Sequence, residues 1–357
     1  MRKILILLLS IFLCTSCFNY IEINNLVLIS GIGIDYKDGK YLVSFETLYQ
    51  NKENSDSNFE WGVINEVSGK SLSEAFYNLN LMLEKNPYYA HLKLVIISEE
   101  IARNHLSDLF DFFLRNNDIR NIFSLVVSDN MAPKDILSAS NEYFPVVSER
   151  IREMLENNEF SNYIVNNLYF KDIASNYLTK NKDIALTMIG LNEKSPEITK
   201  LLVINNENKI SYLDTNYSAT LSQLSNSKPN TLVKYECDLD KYITVNIYKS
   251  KINYIINKNS YNVIAKLNGE IIENNCNINL EDDSDYKNIS KKVNDLIKQQ
   301  YTDLFKYIKS NNADLLGINK KYFNKYRNRN YDYFKNAKYT INTGIELNKK
   351  GLIFEVN

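Results

Sequence analysis

The 357-residue chain carries 42 basic and 43 acidic side chains, a net charge of −1, so no broad positive field draws it towards nucleic acid. Two histidines, His91 and His105, lie fourteen residues apart with no thiol nearby, a poor ligand set for zinc, which takes three or four grouped ligands. The length exceeds a single ordinary core and implies two or three domains, while the abundance of Asn, Lys, Ile and Tyr reflects codon bias and says nothing of activity.

Met1, Arg2 and Lys3 precede an apolar run from Ile4 to Leu13 broken only by Ser10, and Thr15 and Ser16 lead into Cys17. A charged start, a short apolar stretch and small residues before the cut are the parts of an export signal. The run is far short of the roughly 20 residues that a bilayer-spanning helix needs. Small residues directly before a cysteine are similar to a bacterial lipobox, which predicts a signal peptide over 1–16 and a lipid anchor, palmitate included, on Cys17. Cys14 stands where lipoboxes usually carry Leu; taking Cys14 itself as the acceptor would place Leu13 at the small-residue site. Ordinary cleavage leaving a free Cys17 is the alternative. At about 0.8 kcal/mol per buried methylene, two acyl chains hold a soluble body at a membrane where one chain binds only reversibly.

Leu26 to Asp35 reads as a buried strand, Tyr36 to Lys40 as a turn, and Tyr41 to Leu48 as a returning strand. Gly31-Ile32-Gly33-Ile34-Asp35 lacks the third glycine and the following helix of a dinucleotide loop. The polar stretch Asn51 to Asn58 reads as a linker. Ser71 and Glu74 form a capping box ahead of Leu72, Ala75, Phe76, Leu79, Met82 and Leu83 at helical spacing, and Asn86-Pro87 ends that helix. A strand over Leu92 to Ser98, a helix through Leu106 to Leu114, a strand over Ile122 to Val127 and helices at Pro133–Ala139, Val147–Leu155 and Lys171–Leu178 follow. Their Phe and Leu stripes are core faces. Glu99-Glu100, between strand and helix, reads as charge favourable at a helix start. Leu186–Leu191, Lys200–Ile204 and Lys209–Leu213 read as short strands expected to pair with the N-terminal hairpin. Asn216 to Lys228, rich in Ser and Asn, reads as a boundary.

In the last third, Ile243 to Tyr248, Ile252 to Ile256 and Tyr261 to Leu267 alternate as antiparallel strands, and Asn268-Gly269 reads as a turn into Glu270–Glu273. Glu281 to Asp285 lacks the glycine and final glutamate of a calcium loop and reads as acidic charge before a helix. That helix is long, with Tyr286, Ile289, Val293, Leu296, Ile297, Tyr301, Leu304, Phe305 and Ile308 on one face, and must lie across a sheet. Thr340 to Leu347 supplies a final strand, with Phe354 in a tail. Cys237 and Cys276 fall in one region; a disulfide and two buried thiols both stand open. The expected fold class is α+β, with two to three mixed α/β domains and a C-terminal antiparallel sheet under a long helix. The expected division is 17–57 with 183–215, then 58–182, then 229–357.

Several segments together resemble one family. Cys17-Phe18-Asn19-Tyr20-Ile21-Glu22 is similar to the Cys-aromatic-Asp-x-x-Glu start of mature spore germination receptor C subunits, the GerAC-like lipoproteins, with Phe18 for Trp and Asn19 for Asp. Ile29 to Asp35 resembles that family's Gly-Ile-Gly-Ile-Asp strand, and Ala90 to Ala102 its His-Leu-Lys segment with the Glu-Glu pair. Leu114-Arg115-Asn116, Ile119-Arg120, Val245 to Ile252, Ala313 to Ile318, Tyr322 to Tyr326, Asn330-Tyr331-Asp332 and Gly351-Leu352 continue the likeness in order. The resemblance implies a nutrient germinant receptor subunit, lipid-anchored at Cys17 on the outer face of the spore inner membrane, acting with two integral membrane subunits of A and B type. It implies no enzymatic activity and no cofactor. The residues agree: there is no nucleophile elbow, phosphate loop or metal cluster in the pattern. A solute-binding lipoprotein of an importer is the alternative, and it would want two doubly wound lobes. Nucleic-acid binding through the basic, aromatic stretch Lys320 to Lys335 lacks the broad basic footprint such binding needs.

Overall fold

The computed structural model describes residues 25–50, 60–140, 144–156, 169–180, 182–225, 231–276, 278–330 and 332–348. The expected linker at Asn51–Asn58 and the tail with Phe354 fall outside them.

Leu26–Lys37 (β1) and Lys40–Gln50 (β2) form a hairpin closed by Asp38 and Gly39, whose φ angles of 51° and 76° suit the two-residue turn that matches strand twist. Glu60–Gly69 (β3) adds a third antiparallel strand that the sequence reading lacks; its two glycines weaken the strand signal. Leu72–Met82 (α1) starts where Ser71 Oγ accepts from Glu74 N at 3.1 Å. Glu74 reaches back to Lys70 N at 2.7 Å, one residue before the amide an ordinary capping box would use. Asn86–Tyr88 (β4), Leu94–Ile97 (β5), Glu99–Asn104 (α2), Leu106–Arg115 (α3), Ser124–Ser128 (β6), Pro133–Leu137 (α4), Val147–Glu156 (α5) and Phe170–Thr179 (α6) follow. Ile184–Asn192 (β7), Ser195–Ile204 (β8) and Ile210–Asp214 (β9) complete a nine-stranded sheet in the order β3-β2-β1-β5-β6-β7-β8-β9, with β4 beside β1.

The expected pairing of the later strands with the hairpin does not occur. β7 pairs parallel with β6 and is separated from β1 by two strands, β5 and β6. Strands β1, β5, β6 and β7 run parallel, and parallel neighbours require crossover connections, so the helical crossovers place β5 and β6 between them.

Both faces of this sheet are covered. Ile32, Ile34, Val95, Ile97, Leu125 and Val127 pack on one face with α1, α2, α3 and α6. Leu94, Ile96, Val126 and Ile189 pack on the other with α4 and α5. Gly31 and Gly33 explain the Gly-Ile-Gly-Ile pattern: a Cβ at Gly31 would stand 2.8 Å from Ser148 Cβ, and one at Gly33 3.0 Å from Pro133 Cβ. The bare positions let α4 and α5 lie directly on β1 while the isoleucines fill the opposite face.

Thr215–Leu224 (α7) occupies much of the expected boundary. It is a packed helix because Leu221 and Leu224 are buried in the C-terminal core and Tyr301 OH donates to its Gln223 at 2.9 Å. Thr231–Asp238 (β10), Lys241–Ile256 (β11) and Ser260–Asn274 (β12) are antiparallel. No turn forms at Asn268-Gly269; β12 runs through, and the register shifts opposite, between Ile247 and Lys249. Gly269 is needed for close approach, since a Cβ there would sit 3.0 Å from Val245 Cγ1. Asp283–Ser310 (α8) is the expected long helix, capped by Asp282, whose carboxylate accepts from Ser284 N at 2.8 Å and Asp285 N at 3.1 Å. Ile289, Val293, Ile297, Tyr301, Leu304, Phe305 and Ile308 form its buried face, each apolar side chain there contributing ~1.5–3 kcal/mol. Ile318–Tyr326 (α9) and Tyr333–Asn336 (α10) return the chain so that Lys338–Asn348 (β13) lies parallel to β12.

Strand β8 joins the two halves. Leu202 and Ile204 belong to the core of the first sheet, while Leu201 and Val203, on the alternate face, belong to the C-terminal core with Leu213.

Candidate functional site

Cys17, the residue to which the sequence assigns the lipid, lies outside the described residues, as do Tyr331 and Gly351-Leu352. The described chain enters through Asn25 into β1, so the segments that resemble the family are placed from there onward.

The first polar centre lies under β1. Glu46 of β2 points to the helix-covered face and is 1% exposed. Its carboxylate accepts from Ser30 Oγ at 2.8 Å, Val147 N at 2.7 Å and Ser148 N at 3.2 Å. Glu46 therefore caps α5 from a distant strand, binding the free amides at the helix start. Burial raises its pKa, opposed by the bonds from Ser148, Ser30 and Val147. Nothing in a single alternating strand announces this role; it becomes readable only once both sheet faces are known to be covered.

The His-Leu-Lys segment is built into the sheet. Lys93 N donates to Ser30 O and Ser124 N donates to Lys93 O, both at 2.8 Å, which ties β1, β5 and β6 together. Ser98 Oγ caps α2 by accepting from Ile101 N at 3.4 Å, with Glu99 and Glu100 in the first turn as the sequence indicates. Glu99 does more than charge the helix start. It pairs with Arg103 at 3.1 Å and accepts from Tyr212 OH, while Tyr212 O accepts from Tyr307 OH of α8. A chain of polar contacts thus runs from α2 through β9 to the long helix.

The second polar centre is the junction of the halves. Asp314, in the Ala313–Ile318 segment, is 2% exposed and accepts from Ile318 N and Asn319 N, both at 2.8 Å, which starts α9. Its own amide donates to Asp183 Oδ2 at 2.6 Å, and Asp183 N donates to Asp314 O at 3.2 Å. Asn205 Nδ2 adds a bond to Asn311 O at 3.0 Å. Burial, reinforced by the Asp314 charge, pushes the Asp183 carboxyl up to about 7. Burial also raises Asp314, and the amides of Asn319 and Ile318 oppose it. Beside them the Lys182 ammonium is brought down to about 8 by burial and by the charges of Lys321 and Lys320. Lys182 and Asp183 were missed by sequence reasoning because an isolated Lys-Asp pair before a strand carries no pattern; the fold alone sets them against α9.

The histidines stay apart. His105 stacks on Tyr36 with centroids 3.9 Å apart, and His91 lies 6.1 Å from the Tyr88 ring. Among the described residues no group of three His, Cys, Asp or Glu side chains is arranged to hold a metal. The structure joins Cys237, at the end of β10, to Cys276, just past β12, in a disulfide with Cα atoms 6.2 Å apart, which selects one of the two open readings. Among the described aromatics of Lys320–Lys335, Tyr322, Tyr333 and Phe334 are buried: Tyr322 stacks on Tyr333 at 4.1 Å, and Tyr333 OH donates to Asn257 O and Ser260 O at 2.7 Å. These three are core contacts and not platforms on which bases stack.

Both halves match known sequence families. Residues 19–191 match the spore germination protein N-terminal domain, and residues 199–351 match the C-terminal domain of spore germination B3 and GerAC-like proteins. The chain belongs to the GerAC-like family of spore germination proteins. Spore germination protein KC of Bacillus subtilis (strain 168) is 22% identical over 214 residues, 57% of this chain and 49% of its own length. The putative spore germination protein YfkR of the same strain is 27% identical over 159 residues, 43% of this chain and 41% of that protein. Spore germination protein B3, also from that strain, is 23% identical over 155 residues, 42% and 41% of the two chains. The GerAC-like chain thus spans about half or less of the length of these relatives. In fold it resembles the crystal structure of the GerBC protein, with a TM-score of 0.57 at 15% identity over 89% of this chain and 96% of that one. Among the described residues of this family member, no helix is long and apolar enough to cross a membrane.

Proposed function

We propose that this chain is the C subunit of a nutrient germinant receptor, held at the outer face of the spore inner membrane by lipid on Cys17. It assembles there with two integral membrane subunits, of A and B type, and is needed for nutrient-triggered germination. The observation that carries this reading is the family match over both halves in order, residues 19–191 and 199–351. The Thr15-Ser16-Cys17 sequence after a short apolar run supports the anchor. An anchor confines the body to a thin layer beside its partners and raises its effective concentration there without any new contact. The polar path from Glu99 through Tyr212 to Tyr307, with the Asp183–Asp314 junction, supports a body that moves as one piece when a partner pulls on either half. Its chemistry is recognition and assembly, with no turnover of a substrate.

The test is Cys17→Ala in the producing cell. Membrane fractionation should show the variant released, and germination in response to nutrients should slow or fail. Full membrane retention together with normal germination would refute the anchored-subunit reading.

A further inference from the structure

Between the two halves a cleft of about 350 Å³ opens beside the Asp183–Asp314 junction. Lys182, from the segment between α6 and β7, lines it together with Lys320 and Lys321 of α9. Asn176, Ser225 and Asn324 add neutral polar groups, and no carboxylate lines it among the described residues. Three ammonium groups therefore converge on one partly enclosed space.

Their present partners do not balance them. Lys321 Nζ donates to Leu316 O at 2.7 Å and lies 4.8 Å from the centre of the Tyr254 ring; among the described residues no carboxylate hydrogen-bonds it, and the Asp314 charge acts on it only through space. Lys182 is half-buried, and its ammonium has no hydrogen-bond or ion-pair partner among the described residues. Ser225 Oγ is buried and unpartnered among those residues as well. Asp314 does not line the cleft; its charge reaches Lys182 and Lys321, but both its oxygens are committed to the amides of Ile318 and Asn319. Burial, with repulsion from Lys321 and Lys320 at Lys182 and from Lys320 at Lys321, weakens the hold of Lys182 and Lys321 on their protons, and the Asp314 charge opposes this only in part. Unpaired like charges in a desolvated cleft are costly unless a counter-ion is brought in.

We propose that this cleft is a binding site for a small, multiply charged oxyanion, a phosphate or a dicarboxylate, gripped by Lys182, Lys320 and Lys321. Lysines act as point charges and, without the planar fork of arginine, accept either oxyanion geometry. A zwitterionic amino acid fits poorly, because the lining offers its ammonium group no carboxylate. Since Lys182 belongs to the first sheet's connections and Lys320 and Lys321 to α9, an anion in the cleft ties the halves together across their junction. This inference does not depend on the lipid anchor.

The experiment is calorimetric titration of the full chain in detergent, in chloride buffer at constant ionic strength, with inorganic phosphate, succinate and alanine in separate runs. Saturable binding of phosphate or of succinate is expected, with alanine silent, and which of the two binds identifies the oxyanion. Lys182→Met and the exposed Lys320→Gln should each weaken that binding at least tenfold, in line with the loss of one charge-assisted contact. The bound anion should also raise the unfolding temperature of the native chain and raise it less in either variant. Lys320→Gln keeps the test decisive if Lys182→Met does not fold. No saturable binding of either anion, binding unchanged in Lys320→Gln, or equal binding of alanine would overturn the proposal.

Discussion

Replacing Asp314 with alanine tests the junction where the two halves meet. The aspartate carboxylate, 2% exposed, is the hydrogen-bond acceptor for Ile318 N and Asn319 N at 2.8 Å, the first free amides of α9. Alanine leaves both amides without their acceptor in a site too enclosed for easy hydration. A lost N-cap alone costs ~1 kcal/mol, and each buried donor stranded without a partner costs ~1–3 kcal/mol. These overlap, since they count the same amides, so the expected loss is about 2–5 kcal/mol. At ~2–4 °C per kcal/mol for a unit of this size, the unfolding temperature should drop by ~4–20 °C. Urea unfolding followed by far-ultraviolet circular dichroism reads the free energy directly. Asp314→Asn retains one side-chain oxygen to accept from Ile318 N and should lose less. An Asp314→Ala chain within ~1 kcal/mol of the native one would refute the assignment of α9's start to this carboxylate.

Two further outcomes follow from the same geometry. Asp183, pushed up to about 7, keeps its proton in the folded state at pH values where the unfolded chain, with an ordinary aspartate near ~4, has released it. Its contribution to stability is full below about pH 4 and is lost as the pH rises through about 7, so Asp183→Asn should flatten that decline while its amide oxygen still accepts from Asp314 N; an unchanged difference between urea midpoints at pH 5 and pH 8 would count against it. Gly31→Ala puts a methyl group 2.8 Å from Ser148 Cβ and 3.0 Å from Glu46 Oε2, which should cost ~1–3 kcal/mol of overpacking; thermal unfolding indistinguishable from the native chain would show that α5 can retreat from β1.

Much of the element content was legible along the chain because each signal is local. The 28-residue helix Asp283–Ser310 shows its buried face at a period of 3.6, and Asp282 marks its start. Ser71 marks its helix with the same capping chemistry, whereas Ser98, which reads as the end of a strand, is shown to cap α2 only by the structure. Thr215–Leu224 was hidden because its serines and threonines read as a loop, whereas the helix is held by the burial of Leu221 and Leu224 and by the bond from Tyr301 to Gln223. Strand Glu60–Gly69 was hidden because two glycines dilute its pattern.

Strand order, and with it the polar centres, belongs to the tertiary structure. Local periodicity says that Ile184–Asn192 is a strand, but only the crossover connections decide that it pairs with Ser124–Ser128 and stands clear of the hairpin. The same holds for Glu46 against α5, Asp183 against Asp314, and Lys182 against α9: each pairing joins residues about a hundred or more positions apart. The amino-acid sequence on its own determined the kind of most elements and the family likeness, because these are written in neighbouring residues. Which buried charges meet was decided by packing, since a carboxylate's partners are set by the elements folded over it and leave no trace beside it in the chain.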